Sequence, residues 1–543
     1  MKVLLTTLNS KYIHTNLALR YLKRTIEDKY DVEVKEFTIN EHNSDILREI
    51  IIMNADIIAF SCYIWNIEQV LKLASDIKKI NDNVKIILGG PEVSYTAEDI
   101  LNKHKYIDYV ISGEGEEAFP KLIDRIGRGE EVENDFGFQI VENLENVKSP
   151  YEEFDEEDYK NKLVYYETSR GCPFKCSYCL SSTTKGVRFF PIERVKEELV
   201  KFFKANVRTI KFLDRTFNVN TKRTLEIWKF IVENNINSIC HFEIEPILIN
   251  DEMLEFLKTV PKGMFNFEIG VQTTNKETLR AIDRNDDIER AFEVIKKLKE
   301  YDNIHLHLDL IAGLPKENYE SFKKSFNDVY SLNSEVIQLG FLKLLHGTKI
   351  RNTIEDEEYV FSDNSPYEIF SNKYISYNEI LELKKIEHVL EIYKNSGRFE
   401  RSLNYLSPEN PFDFYKSLAE YWEKHGYFNR KVSGEEAFDI LNNYVGTDLF
   451  SDILKLDYVE KYSTRREWFN ENRMNLKAVV ASTLGNTEFR EKHLAEYKDE
   501  KEILKKVKVE LFRYNVLGDF EEGDYAVFID KESRRIITSV KLN

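Results

Sequence analysis

Short β-branched runs alternate with amphipathic helical stretches over the first 125 residues, the pattern of a parallel sheet covered on both faces. Five strands are predicted: KVLLTTL from Lys2, VEVKEFTI from Val32, DIIAFSC from Asp56, VKIILGG from Val84 and DYVISG from Asp108. A doubly wound sheet of this kind holds ligands beyond the carboxyl ends of its strands, where Asn9 to His14, Ser61, Gly89 to Glu92 and Gly113 to Glu116 fall. From 128 to 160 the periodicity fades into an acidic connection ending in SPYEEFDEEDY, with room for one hairpin.

A second alternating series follows. Its strands are LVYYETSRG from Leu163, VRTIKFLD from Val207, ICHFEIEP from Ile239, MFNFEIGVQT from Met264, IHLHLDLIAGLP from Ile304 and EVIQLGFLKLLHG from Glu335. Between the first two, Val195, Leu199, Phe202 and Phe203 recur at helical spacing, as a helix covering a sheet should. Six βα units predict a partial, TIM-like (β/α)6 barrel with its chemistry at the strands' carboxyl ends. Beyond about residue 355 the chain reads as mostly helical, with short strands near VKVELFRYN and YAVFID. The predicted class is therefore α/β, divided into a sheet domain at 1–127, a linker at 128–160, a barrel at 161–355 and a mostly helical domain at 356–543.

With 543 residues, 42% hydrophobic and 32% charged, the chain is long enough for several cores and has the balance of a soluble globular protein. A net charge of −18 opposes a broad phosphate-binding surface, so nucleic acid is not the expected partner. No apolar run is long enough to span a membrane and the first residues lack the order of a signal peptide, so a cytoplasmic location is expected. Five cysteines exclude a disulfide scaffold, and three of them fall within eight residues.

Those three are Cys172, Cys176 and Cys179 in TSRGCPFKCSYCLSS, spaced C-x3-C-x2-C directly after a predicted strand. Three thiolates can hold three irons of a 4Fe-4S cubane and leave the fourth open to a substrate, whereas four would close it into an electron carrier. Zinc and purely structural thiols are the alternatives; a structural zinc normally takes four ligands, and no nearby Cys or His supplies the fourth. Cys62 and Cys240 sit in apolar runs, read as small core residues, and are too few for a second all-cysteine cluster.

With Tyr178 as the aromatic of C-x3-C-x-aromatic-C, the chain resembles the radical S-adenosylmethionine (SAM) superfamily over about residues 160 to 350. The resemblance implies that SAM chelates the open iron and that one electron splits it into methionine and a 5′-deoxyadenosyl radical. It also implies SAM contacts at strand ends: Tyr178, Asp214 in FLDRTFN, Glu243 and Glu245 in HFEIEP, and Gly270 and Gln272 in FEIGVQTTN, followed by Arg284. Glu243 and Glu245 share one strand face by the period of two. A core-facing or capping role for any one of these remains the alternative. DLIAGLP, with Gly313 and Pro315, resembles the family's fifth-strand motif near adenine, or is a simple turn.

A parallel domain ahead of such a barrel resembles the cobalamin-binding class of radical SAM enzymes, which places the corrinoid tail near Ser61, Gly89, Gly90 and Gly113. A βα turn requires glycine there without any ligand. The D-x-H-x-x-G motif of cobalamin domains is absent from the first loop, which keeps His14 but neither the acid nor the glycine, and Tyr63 follows Ser61 and Cys62 where relatives often carry a smaller residue. His14 is a candidate cobalt ligand or a capping residue, lacking a carboxylate to orient its second nitrogen. The implied function is reductive SAM cleavage with cobalamin and, as the commonest outcome, methylation of an unactivated carbon. Radical cyclisation or rearrangement and a noncatalytic iron-sulfur sensor are the alternatives. The partners implied are a small-molecule substrate and an electron donor such as flavodoxin or ferredoxin.

Overall fold

The computed structural model describes residues 1–152, 159, 161–184, 186–284, 287–469 and 476–542. It forms two compact units, Met1–Ser334 with Leu339–Ile380, and Glu335–Gln338 with Leu381–Asn543. The acidic end of the predicted linker lies partly outside the described residues.

The first unit opens with β1 (Lys2–Asn9), β2 (Asp31–Thr38), β3 (Ile57–Ser61), β4 (Lys85–Gly89), β5 (Tyr109–Gly113) and β6 (Asp135–Gln139), in the order β2-β1-β3-β4-β5-β6. Every pairing is parallel. Because both faces are covered, the central strands are apolar without alternation, as in the fully buried run Ile57 to Ser61. Helices Asn43–Ile52 and Ile67–Ile80 pack Ile46, Ile50, Val70 and Leu73 against one face. Helices Leu17–Ile26 and Ala118–Gly127 pack Leu19, Ile26, Phe119 and Leu122 against the other. The sheet thus has six strands where five were predicted. The sixth, DFGFQ, is mostly exposed and lies in the acidic stretch, so no apolar run announced it; pairing with β5 creates it.

The second sheet contains β7 (Val164–Tyr166), β10 (Thr209–Phe212), β11 (Ile239–Glu243), β12 (Phe265–Gln272), β13 (His305–Ala312) and β14 (Val336–Phe341), neighbours in chain order. The pairings from β7 to β13 are parallel. Between β7 and β10 a short antiparallel ribbon, β8 (Ser169–Gly171) with β9 (Val187–Phe189), divides what the sequence suggested was one long strand. Outward positions carry bulk: Phe242, Phe265 and Phe267 pack around the fully buried Trp228. Inward positions are polar, Asn266, Glu268, Gly270 and Gln272 on β12 and His305, His307 and Asp309 on β13, and the partial burial of these alternates with full burial of their neighbours.

The second unit is mostly helical and ends in an antiparallel sheet of Val507–Tyr514, Glu522–Asp530 and Ile536–Lys541. Helix Asp448–Lys461 is buried nearly all round, and its acidic residues are satisfied: Asp452 accepts from the Arg513 and Tyr514 amides, and Asp457 from the Ser402 amide and hydroxyl. No helix among the described residues is long and apolar enough to cross a membrane.

Candidate functional site

Cys172, Cys176 and Cys179 lie on the loop between β8 and β9, at the carboxyl end of β7. The loop is braced from three sides. Asp214, just past β10, is 1% exposed, and its carboxylate accepts from the Thr168 amide (2.8 Å), the Thr168 hydroxyl (2.6 Å) and the Ser169 hydroxyl (2.6 Å). Burial pushes its pKa up to about 6 against these donors. Arg170, two residues before Cys172, is packed over Tyr21 and paired with Glu116 (2.5 Å), Glu167 (2.7 Å) and Glu114 (3.5 Å). Glu114 and Glu116 follow β5 of the first sheet, so that sheet fixes the start of the cysteine loop. Further along, the Ser177 amide donates to the Ile282 carbonyl (2.9 Å) and the Ser177 carbonyl accepts from the Ile350 amide (2.8 Å).

All five cysteines are free thiols. Cys62 and Cys240 are fully buried core residues whose thiols burial holds far above their ordinary pKa. Cys176 is buried, Cys172 and Cys179 are half-buried, and the Thr216 hydroxyl lies 3.6 Å from the Cys172 sulfur. Among the described residues no group of three His, Cys, Asp or Glu is arranged to hold one metal ion. A cubane takes each thiolate on a different iron, so three sulfurs need not converge on a point.

Inside the barrel, Arg284 donates to Glu245 (2.8 Å) and stands beside the Tyr178 hydroxyl. Gln272 occupies a bulge at φ 67°, and its side-chain carbonyl oxygen is buried without a hydrogen bond. Gly270 precedes it on the same inner face, paired in register with Asp309. Asp309 Oδ1 is likewise buried without a hydrogen bond, although His307 Nε2 is 3.3 Å away, and the neighbouring Glu243 and Glu268 add to burial in raising its pKa. Glu243 is also raised by burial, with Arg215 pulling it down. Glu268 goes the other way, to about 2, because His241 (2.7 Å) and Lys211 (3.1 Å) outweigh its burial. The lumen therefore contains two carboxylates, Glu243 and Asp309, short of cations. Asp309 escaped the reading of the sequence, although the inward alternation of HLHLDL carried the signal.

A cavity of about 990 Å³ opens between the barrel mouth and the carboxyl edge of the first sheet. His14, Ser61, Gly89, Gly90 and Gly113 line it from the sheet side, and Tyr165, Arg170, Tyr178, Cys179 and Arg215 from the barrel side. Asp214, Glu243, Glu245, Gly270 and Gln272 are not in its wall. Gly90 (φ 103°) is required by the backbone, since a Cβ there would lie 2.6 Å from the Cys62 carbonyl oxygen; Gly113 (φ 79°) would meet the Gln139 carbonyl oxygen of β6 at 2.3 Å. Gly89 has no such constraint: its nearest neighbour would be the Ile111 carbonyl oxygen at 3.7 Å, an ordinary contact. Ser61 is buried, and its carbonyl accepts from the Thr7 hydroxyl and the Asn66 amide group.

His14 reaches the barrel. Its Nδ1 is hydrogen-bonded to the Tyr165 hydroxyl at 2.5 Å, and the loop around it is pinned by the Leu163 amide donating to the Ile13 carbonyl (2.8 Å). Burial, Lys11 and Lys211 lower its pKa, so the imidazole is neutral at pH 7. The orienting partner missing from the first loop is thus supplied by a tyrosine some 150 residues later, a pairing no local motif announces.

Three family models match the chain in succession: a B12 binding domain over residues 3–123, the radical SAM superfamily over 166–329, and a protein of unknown function (DUF4080) over 355–529. An uncharacterized methyltransferase of Pyrococcus horikoshii is 25% identical over 390 residues, covering 68% of this chain and 83% of the relative. The cobalamin-dependent radical SAM methyltransferase TokK of Streptomyces tokunonensis is 26% identical over 57% of this chain, which spans half of that relative. Among solved structures, the radical SAM methyltransferase TsrM of Kitasatospora setae, with cobalamin and a 4Fe-4S cluster bound, shares the fold at a TM-score of 0.55 and 16% identity, over 67% of this chain and 78% of that one.

Proposed function

From the premise that this chain belongs to the radical SAM superfamily and carries a B12-binding domain ahead of its barrel, we propose that it methylates an unactivated carbon of a small molecule. The observation that carries this reading is the single cavity on which the glycine-bearing edge of the first sheet and the cysteine loop both open. Proximity of that order converts a collision between two bound species into a step within one complex.

The donor sets suit the groups. Cys172, Cys176 and Cys179 offer three thiolates and no fourth, which leaves one iron open. Gln272 and Asp309 present buried oxygens without hydrogen bonds, and Glu243 a further carboxylate, suited to the ribose hydroxyls and cationic groups of SAM. Arg284, held by Glu245, suits the SAM carboxylate. Gly89, glycine without backbone need, leaves the sheet edge free for a corrinoid tail beside Ser61 and Gly90. When bound, the cluster supplies one electron for SAM cleavage and the corrinoid supplies the methyl group. The chain's own part is positional: Asp214 and Arg170 hold the cysteine loop, Tyr178 closes the barrel mouth beside Arg284, and Tyr165 orients a neutral His14 toward the corrinoid side.

The electron comes from a flavodoxin- or ferredoxin-like donor in the cytoplasm. The test is anaerobic reconstitution with iron, sulfide and hydroxocobalamin, followed by quantification of bound iron and corrinoid and of 5′-deoxyadenosine formed from SAM under reduction. Retained corrinoid with 5′-deoxyadenosine supports the reading. An iron-loaded chain that forms no 5′-deoxyadenosine is a sensor and overturns it.

A further inference from the structure

The charged side chains of the cavity wall have hydrogen-bond or ion-pair partners, with one exception among the described residues. Glu116 and Glu167 are taken by Arg170, and Glu114 by Arg188 at 2.6 Å with Arg170 beyond. Glu92 is buried and accepts from the Tyr367 hydroxyl. His14 is neutral, and Lys211, which helps lower its pKa, is paired with Glu268. Of the two guanidinium groups in the wall, Arg170 is charge-paired with three carboxylates, although its buried Nη1 makes no hydrogen bond. Arg215 is exposed and has no ion pair or side-chain hydrogen bond among the described residues.

Its position is not accidental to a mobile loop. The Leu213 amide donates to the Tyr166 carbonyl (2.7 Å), Asp214 is enclosed by Thr168 and Ser169, and Thr216 touches Cys172, so the backbone on both sides of Arg215 is fixed at the barrel mouth. From there the guanidinium offsets part of the burial that raises the pKa of Cys172 and Glu243, without pairing with either. A backbone-anchored guanidinium that lines the cavity, without an ion pair among the described residues, has its full capacity for a planar or tetrahedral oxyanion.

We propose that Arg215 binds an anionic group of the substrate, a carboxylate or a phosphate. The substrate of the methyl transfer proposed above, on which this inference rests, is then an organic acid or phosphate ester and not a neutral lipid.

The test uses the full chain reconstituted with iron, sulfide and hydroxocobalamin and saturated with SAM, so that neither cofactor leaves its own anionic groups to find the site. Three probes of one ring, benzoate, phenyl phosphate and benzamide, are titrated by ligand-observed NMR. At least one anion is expected to bind tenfold or more tightly than benzamide, and which one does so distinguishes carboxylate from phosphate. Arg215→Gln is expected to bring the anion down to the benzamide level, with Arg215→Lys intermediate because a point charge replaces a bidentate fork. Benzamide binding as well as the anions, or anion affinity unchanged in Arg215→Gln, overturns the assignment. If 5′-deoxyadenosine forms while anion selectivity is absent, this inference alone fails. If selectivity is present without SAM cleavage, it is the radical SAM reading that fails.

Discussion

Replacing Gly90 and Gly89 one at a time by alanine separates a glycine that the backbone demands from one that the cavity uses. At Gly90 the residue is held at φ 103°, and its Cβ would meet Cys62 O at 2.6 Å and Cys62 N at 2.9 Å, both backbone atoms. A side chain in the left-handed region costs about 1 to 2 kcal/mol. The clash can be relieved only by parting the ends of β3 and β4, where the Cys62 amide donates to the Gly89 carbonyl at 2.7 Å, at a further cost of about 1 kcal/mol for the lost hydrogen bond. Gly90→Ala should therefore lose about 2 to 3 kcal/mol of stability. At Gly89 the Cβ meets nothing closer than 3.7 Å, so Gly89→Ala should be neutral or gain about 0.4 to 1 kcal/mol from a less flexible unfolded chain. Because it puts a methyl group on the edge that lines the cavity, its loss should appear in corrinoid retention. The assay is urea unfolding of the cofactor-free, reduced chain, followed by hydroxocobalamin reconstitution and gel filtration. Equal unfolding midpoints for Gly90→Ala and wild type would refute the steric argument, and full corrinoid retention by Gly89→Ala would refute the use assigned to that position.

Replacing Cys172, Cys176 or Cys179 by alanine should each abolish cluster iron and 5′-deoxyadenosine formation, because two thiolates cannot hold a cubane with one open iron; full iron content in any variant contradicts the site. Asp309→Asn, Gln272→Leu and Glu243→Gln should leave iron content intact while weakening SAM by about 1.5 to 3 kcal/mol, roughly ten- to a hundredfold in Kd; unchanged affinity in all three removes them from the SAM site. Glu317 is 1% exposed, with one oxygen on Thr273 and Ser325 and the other without a partner, and burial raises its pKa from an ordinary 4.5 to about 7. The folded chain thus holds a proton there that the unfolded chain releases, so the contribution of Glu317 to stability is fully present below pH 4.5 and is lost, by on the order of 3 kcal/mol, as pH rises to 7. In Glu317→Gln that part of the pH dependence should vanish from denaturation curves, and an unaltered slope would show that Glu317 titrates alike in the folded and unfolded chains, refuting the raised pKa.

Much of this protein was legible in its order of residues, for reasons that are local. Alternation and run length exposed the strands, because a parallel strand buried on both faces must be apolar and a barrel strand must alternate. The cysteine spacing sets three thiols, the candidate cluster ligands, within eight residues. What no local pattern contains is partnership across distance. β6 exists because β5 offers an edge, in a stretch with almost no apolar signal of its own. Asp214 is drawn into bracing the cysteine loop by Thr168 and Ser169, 45 residues away and more. His14 lacks a neighbour to orient it in sequence and finds Tyr165 in space. Asp309, Glu243 and Arg215 stand out only once the partners of the other charges around them are known, which is a property of the assembled wall and lumen. The sequence by itself determined most of the elements and set three thiols close together along the chain. Tertiary structure decided which polar groups are spent on each other and which are left for ligands, because hydrogen bonds and ion pairs are satisfied by proximity in three dimensions and not by order along the chain.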